Sequence, residues 1–274
     1  MKIALVWPFN KAKWIWSNYR DGVRAAMETI VLQNHIVDWY LDELPTQKYD
    51  AVVIWADSND HTILKVKGLA DVYALILTTE LGLNIANLRN YDIVFCEAQP
   101  VYEKIRATGL RAVKAFGTDT RFFDPFVVPY QKNNLNWEAF YPATFSPWKR
   151  NNVFADKYRE KGLLLGTVQP DGFDILVHCI TRKANIMVGY YPSEFLRSLY
   201  LMSEIVDIAG YDGSGRTVLE ALSMGLTVEA APDNNKCQSY LQEWRDSGLD
   251  SRQFILKNYS EKIYASQILR GLCT

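Results

Sequence analysis

Short, mainly apolar runs recur through the first part of the chain, at residues 2–7, 35–40, 50–55, 72–77, 92–96 and 111–116. Runs this short, with little polar alternation, predict strands buried on both faces, as in a parallel sheet. Between them, residues 18–33 place Val23, Ala26, Met27, Ile30 and Val31 on one side of an amphipathic helix. Shorter helical patterns cover 62–69 and 101–108. Repeated strand–helix units of this kind predict a doubly wound α/β sheet.

The alternation then breaks. Asp124-Pro125-Phe126-Val127-Val128-Pro129-Tyr130 and the polar run 131–135 read as an interdomain linker. It resumes with strands at 140–145, 163–168, 185–188, 204–209 and 226–230. Helices are predicted at 149–161, 173–182 and 193–202, then at 238–247, 251–258 and 260–272. This predicts an N-terminal domain over 1–128 and a second over 129–259. A last helix in 260–274 is expected to cross back onto the first domain.

Composition narrows the class. The 274 residues are 49% hydrophobic, enough for sizeable cores, and the net charge of −1 offers no long-range pull on nucleic acid or anionic membrane. Cys96, Cys179, Cys237 and Cys273 form no CxxC pair, so reduced thiols are expected. The first residues read as a strand rather than a signal peptide, and no run is long and apolar enough to span a bilayer. A cytoplasmic location is expected, with peripheral membrane contact left open.

The densest chemistry lies in Asp212-Gly213-Ser214-Gly215-Arg216-Thr217-Val218-Leu219-Glu220. A strand, a glycine turn and a helix start make an anion site, because backbone N–H groups and the positive helix end converge there. Asp212 and Glu220 flank the turn and can accept hydrogen bonds from sugar hydroxyls. The plainer alternative is a strand–helix connection capped by Ser214, with Gly225 ending the helix. Lys149 and Arg150 stand at a predicted helix start, where the helix dipole disfavours cations unless an anion sits between them. Tyr190 and Tyr191 follow a strand end and could stack on a base or simply be packed.

In the first half, the loop after the first strand carries Trp14 and Trp16 with Lys11 and Lys13. Such a loop suits a sugar, exposed bases or a membrane surface, or tucks over the sheet. Glu80 and Glu97 follow strands and could position an acceptor hydroxyl. Asp57, Asp60 and His61 read as a turn with a helix cap rather than metal ligands.

An acidic residue, seven intervening residues and then Glu-Ala, as in Asp212 to Glu220-Ala221, resembles the acidic pair of GT-B glycosyltransferases of family 4 (glycosyl transferases group 1). Gly117-Thr118-Asp119-Thr120-Arg121-Phe122-Phe123-Asp124-Pro125 resembles the Gly-x-Asp-Thr-x-x-Phe-x-Pro segment of that family, and Lys149 follows in the same order. The resemblance implies two Rossmann-like doubly wound domains facing a cleft. It also implies a retaining, metal-independent hexosyl transfer from a nucleotide-diphosphate sugar, UDP- or GDP-linked. By the same resemblance Lys149 grips the diphosphate, Asp212 contacts the sugar and Glu220 the ribose. Backbone at Gly213, Ser214, Gly215 and Arg216 completes the site, and no separate cofactor is expected. By the resemblance the 117–125 segment shapes the hinge side of the cleft, where Asp119 is an acceptor-side candidate that, with Thr120, more readily caps turns than does chemistry. Three departures stand out. Asp212 replaces the usual Glu, Thr144 stands where the family has an Arg that Arg150 would replace, and the first loop lacks a Gly-Gly pair. The expected acceptor is a saccharide or lipid. A phage-type transfer to a DNA base and a degenerate, non-catalytic nucleotide-binding or partner module are the alternatives.

Overall fold

The computed structural model describes residues 1–79, 82–127 and 137–273. The chain divides into two compact units, one of Met1–Asp119 with Tyr259–Thr274 and one of Thr120–Asn258. The division falls at Asp119/Thr120 rather than after Val128. Residues 128–135 of the expected linker lie outside the described part.

The first unit runs β1 (Lys2–Trp7), α1 (Ala12–Asn18), α2 (Gly22–Leu32), β2 (Ile36–Leu41), β3 (Tyr49–Ala56), α3 (Thr62–Val66), β4 (Ala70–Leu77), α4 (Ile85–Leu88), β5 (Ile93–Cys96), α5 (Gln99–Arg106) and β6 (Ala112–Lys114). All pairings are parallel, in the order β2-β1-β3-β4-β5-β6. The helix expected over 18–33 starts later, because Asp21 caps it, accepting from the Val23 N–H at 2.7 Å. The expected loop at 8–17 contains α1, which turns Ala12 fully inward and leaves Ile15 and Trp16 half-buried. The strand order reverses between β1 and β3, which creates a crevice at their carboxyl ends.

The second unit runs β7 (Trp137–Pro142), α6 (Asn151–Tyr158), β8 (Gly162–Gly166), α7 (Phe173–Thr181), β9 (Asn185–Val188), α8 (Ser193–Leu201), β10 (Ser203–Ile208), α9 (Gly215–Ser223), β11 (Thr227–Ala230), α10 (Asn235–Ser247) and α11 (Ser251–Asn258). Its sheet is also parallel, ordered β11-β10-β7-β8-β9, so the reversal lies between β7 and β10. The helix expected from Lys149 begins at Asn151. A 3-10 turn at Pro147–Lys149 precedes it, and Arg150 adopts a left-handed φ of 49°.

The last helix, α12 (Glu261–Leu272), belongs to the first unit. Its Tyr264, Ala265, Ile268 and Leu272 share a core with Val23, Met27 and Ile30 of α2. The 117–125 stretch straddles the division between the units. Before it, buried Asp119 is held by Arg20 Nη2 at 2.6 Å. After it, the Phe123 carbonyl accepts from Ser223 Oγ at 2.6 Å and Arg252 Nη1 at 3.1 Å, and Arg252 pairs with Asp124 at 2.7 Å. No described helix is long and apolar enough to cross a membrane.

Candidate active site

The switch point of the second unit is occupied by the turn between β10 and α9. Gly213 (φ 72°) and Ser214 (φ 65°) are left-handed in succession before the chain enters the helix. Such a reversal points consecutive backbone N–H groups into one concavity. Ser214 stands at the N-cap position of α9, but its side chain makes no capping bond. Instead Ser214 Oγ accepts from Lys149 Nζ at 3.1 Å, and the Asp212 carbonyl accepts from the same ammonium at 2.9 Å. The turn and Lys149 therefore form one unit, assembled from the carboxyl ends of neighbouring strands. Gly213 is required by its φ of 72°, and a Cβ there would push aside the flexible end of Lys149, whose Nζ lies 2.5 Å away.

Several groups hold this turn that the sequence reading did not single out. The Tyr141 hydroxyl accepts from the Gly210 N–H at 3.2 Å. Tyr141 is fully buried, and burial above all raises its phenol and keeps it protonated. Asn234 Nδ2 donates to the Gly210 carbonyl at 2.8 Å and the Gly213 carbonyl at 3.4 Å, while its Oδ1 caps α10 by accepting from the Cys237 N–H at 3.0 Å. Cys237 Sγ also reaches the Gly213 carbonyl, at 3.2 Å. Lys236 is buried, and its Cδ lies 3.2 Å from where a Cβ on Gly215 would be. Asn234 ahead of a helical run is a readable cap signal, but its grip on a turn 21 residues away is not.

The acids and the remaining cation are placed differently from one another. Glu220 is buried on α9, and its Oε2 accepts from the Tyr200 hydroxyl at 2.9 Å. Tyr200 is itself fully buried, so burial first and the Glu220 charge second push its phenol far up. It stays a donor and fixes the carboxylate. Asp212 lies at the mouth of the turn and is buried, 9% exposed. Arg150 is not joined to Lys149. Its guanidinium makes a bidentate pair with Asp233 at 3.0 and 2.6 Å and lies 4.9 Å over the Tyr211 ring. Arg216 is exposed on the first turn of α9, and Thr144 is half-buried just beyond β7. Tyr190 is exposed, whereas Tyr191 is stacked on Phe195 at 5.2 Å. Among the described residues no group of three or more His, Cys, Asp or Glu could hold a metal ion.

Neither a protein-family model nor a curated protein matches the sequence. Solved structures do. AviGT4, a glycosyltransferase involved in avilamycin A biosynthesis, matches with a TM-score of 0.66 at 12% identity, over 100% of this chain and 97% of that one. An alpha-glucosyltransferase in complex with UDP-glucose and DNA containing an abasic site matches at 0.64 and 9% identity, over 100% of both chains. Trehalose-6-phosphate synthase, from a study of glycosyl transfer with retention, matches at 0.59 and 10%, over 97% of this chain and 84% of that one. The fold is GT-B. At these identities the likeness speaks for the fold alone, and the neighbours are glycosyltransferases.

The first GT-B unit holds the other sequence candidates. Trp14 is exposed and meets Tyr19 edge-on at 5.9 Å. Trp16 is committed to packing, 4.5 Å from Trp39 and 6.5 Å from Trp7, with the Arg24 guanidinium 5.6 Å above it. Lys13 is paired with Glu43. Asp119 is buried against Arg20, which also binds Glu28 at 2.8 Å. Glu97 is half-buried after β5, and Glu80 lies outside the described residues. Trp7, Phe9 and Trp55 together line a cavity of this unit. The sequence reading missed them, since Trp7 and Trp55 fall inside predicted strands.

Proposed function

We propose that this chain is a retaining, metal-independent glycosyltransferase of the family 4 type. In this reading it moves a hexose from a UDP- or GDP-linked donor to an acceptor hydroxyl. What carries the reading is the seat of Lys149 Nζ in the left-handed Gly213–Ser214 turn ahead of α9, at a topological switch point. As the glycosidic bond breaks, negative charge grows on the leaving diphosphate. An ammonium and a helix N-terminus fixed there beforehand stabilise that charge without reorganising. Glu220, held by Tyr200, takes the ribose hydroxyls, Asp212 takes the transferred sugar, and Tyr190 lies against the base. Arg150 can join the diphosphate, because its pair with Asp233 is exposed and such pairs are worth only about 0–1 kcal/mol.

Incubation with UDP- and GDP-sugars in excess chelator tests this. The wild type should release nucleoside diphosphate and form a glycoside of unchanged anomeric configuration, and Lys149→Ala should lose roughly 100-fold in rate. Inversion, or turnover that stops with chelator and returns with a divalent cation, would contradict the proposal.

A non-catalytic nucleotide-binding module is the second reading. It is favoured by the engagement of Arg150 with Asp233 and by the shorter reach of Asp212. Nucleotide binding with no turnover on any sugar would select it. Transfer to a DNA base draws on the DNA-bound neighbour, but Lys13 is already neutralised by Glu43. Salt-sensitive retention on DNA would favour it.

A further inference from the structure

The first unit has its own switch-point crevice, and its chemistry differs from that of the second. A cavity of about 320 Å³ opens at the carboxyl ends of β1, β3 and β4, near the lower end of the size range of small-molecule sites. One wall is aromatic. The register that sets Val6 opposite Ile54 brings Trp7 beside Trp55, and their rings stack at 4.1 Å. Phe9 continues the stack on the outer side, 5.9 Å from Trp7 with 19° between planes, and is 40% exposed. An outward ring at the end of such a ladder leaves a flat apolar face unpaired.

The lining also carries polar and anionic groups, beside the apolar Pro8 and Ala56. Asp57, Asp60 and Thr78 contribute, and no Lys or Arg does so among the described residues. Each carboxylate is fixed by one oxygen. Asp57 Oδ1 accepts from the Asn59 N–H at 2.7 Å and Asp60 Oδ1 from the Thr62 N–H at 2.7 Å. Their second oxygens take no hydrogen bond from a described residue, so each is a fixed acceptor. The Tyr91 hydroxyl is buried with no hydrogen-bond partner. Burial first, and then the Asp60 and Asp57 charges, raise this phenol and keep it a donor.

A flat apolar wall facing fixed carboxylates matches a pyranose, which has a C–H face for the rings and hydroxyl donors for the acids. It opposes a phosphate ester or a nucleic-acid backbone, whose charge would meet two carboxylates with no cation to offset them. We propose that this cavity binds an uncharged saccharide, which serves as the acceptor. Only the word acceptor rests on the glycosyltransferase reading. Saccharide binding by the first unit does not.

The test uses the full chain saturated with UDP or GDP, read by tryptophan fluorescence and by saturation-transfer NMR. The probes are glucose, galactose, mannose, N-acetylglucosamine, maltose and lactose, with glucose 6-phosphate and a single-stranded DNA oligonucleotide as charged counterparts. At least one neutral sugar should bind, and glucose 6-phosphate should bind no better than glucose. Phe9→Ala and Asp57→Asn should each weaken the sugar roughly tenfold, a loss of the size expected for one charge-assisted hydrogen bond or one ring contact. Nucleotide affinity should stay at the wild-type value in both variants. Phe9 is exposed, and Asn keeps the Oδ1 acceptor of Asp57, so both variants should fold. No neutral sugar binding, tighter binding of the phosphate ester or the DNA, or equal sugar affinity in both variants would overturn the proposal. Sugar binding without nucleotide binding would instead overturn the transferase reading and leave the saccharide site standing.

Discussion

A Cβ at Gly213 would meet Lys149 Nζ at 2.5 Å, on a residue whose φ of 72° already excludes most side chains. Gly213→Val should therefore displace the ammonium, weaken nucleotide binding at least tenfold and cost about 1–3 kcal/mol of stability. Calorimetric titration and chemical denaturation read the two effects separately. Glu28 gives a test in the first unit. Burial alone would raise its carboxyl, but hydrogen bonds and charge from Arg20 and Arg24 outweigh that and hold it below its usual range. A depressed folded value means that its stabilisation is fully present above the unfolded value and is lost as pH falls through the folded one. Thermal melts at neutral pH and about pH 4 should thus differ less for Glu28→Gln than for the wild type. An unchanged pH dependence would remove Glu28 from the account. At this scale Lys149, Glu220 and the glycine turn could be singled out as candidates because their types and spacing are local, and Lys149 does meet the turn. The sequence did not reveal that Tyr200 pins Glu220 or that Asp233 takes Arg150, since those pairings join residues 20 and 83 positions apart.

Elements were legible where burial on both faces left a continuous apolar run, so most strands of both sheets fell where the pattern put them. The helix α1 was not, because its Lys and Trp residues alternate like a surface loop while Ala12, Ile15 and Trp16 turn inward at helical spacing. Of the loop's two candidate aromatics, suited to a sugar, exposed bases, a membrane surface or packing over the sheet, Trp14 is exposed and Trp16 is packed against Trp39, while a cavity nearby in the same unit is walled by Trp7, Phe9 and Trp55. Trp7 and Trp55 meet only because β3 inserts beside β1, which is a fact of sheet order and not of spacing. The last helix makes a further prediction. Ile268 is fully buried in the core shared by α12 and α2, so Ile268→Ala should cost about 2–5 kcal/mol in the unfolding of the first unit. Hydrogen exchange of β1 and β3 amides should report the loss, and a change under 1 kcal/mol (roughly the cost of a half-exposed site) would contradict the assigned packing.

Across the whole molecule, the two units repeat one plan with opposite chemistry. Each is a parallel sheet whose order reverses once, and each carries its candidate site at the carboxyl ends flanking that reversal. In the second unit the crevice is furnished with a lysine, a left-handed turn and an uncapped helix start. In the first it is furnished with stacked rings and two carboxylates. A nucleotide that binds the folded second unit should raise its melting temperature, by about 2.7 kcal/mol of added stability at a hundredfold excess over Kd. The same addition should stabilise Lys149→Ala by no more than about 1.4 kcal/mol, the gain left by a tenfold weaker Kd. The doubly wound class was legible from the chain because repeated strand–helix units have few other ways to pack. The location of the unit division was not, because the 117–125 stretch is anchored by Arg20 before it and by Arg252 after it.

The most direct measurement is calorimetric titration of UDP and GDP, and of their hexose conjugates, into the wild type and Lys149→Ala. Lys149 as the diphosphate ligand predicts saturable binding of one nucleotide series to the wild type, weakened at least tenfold in the variant, a loss expected when a charged hydrogen-bond donor is removed. Equal affinity in both proteins, or no binding across the panel, would contradict it.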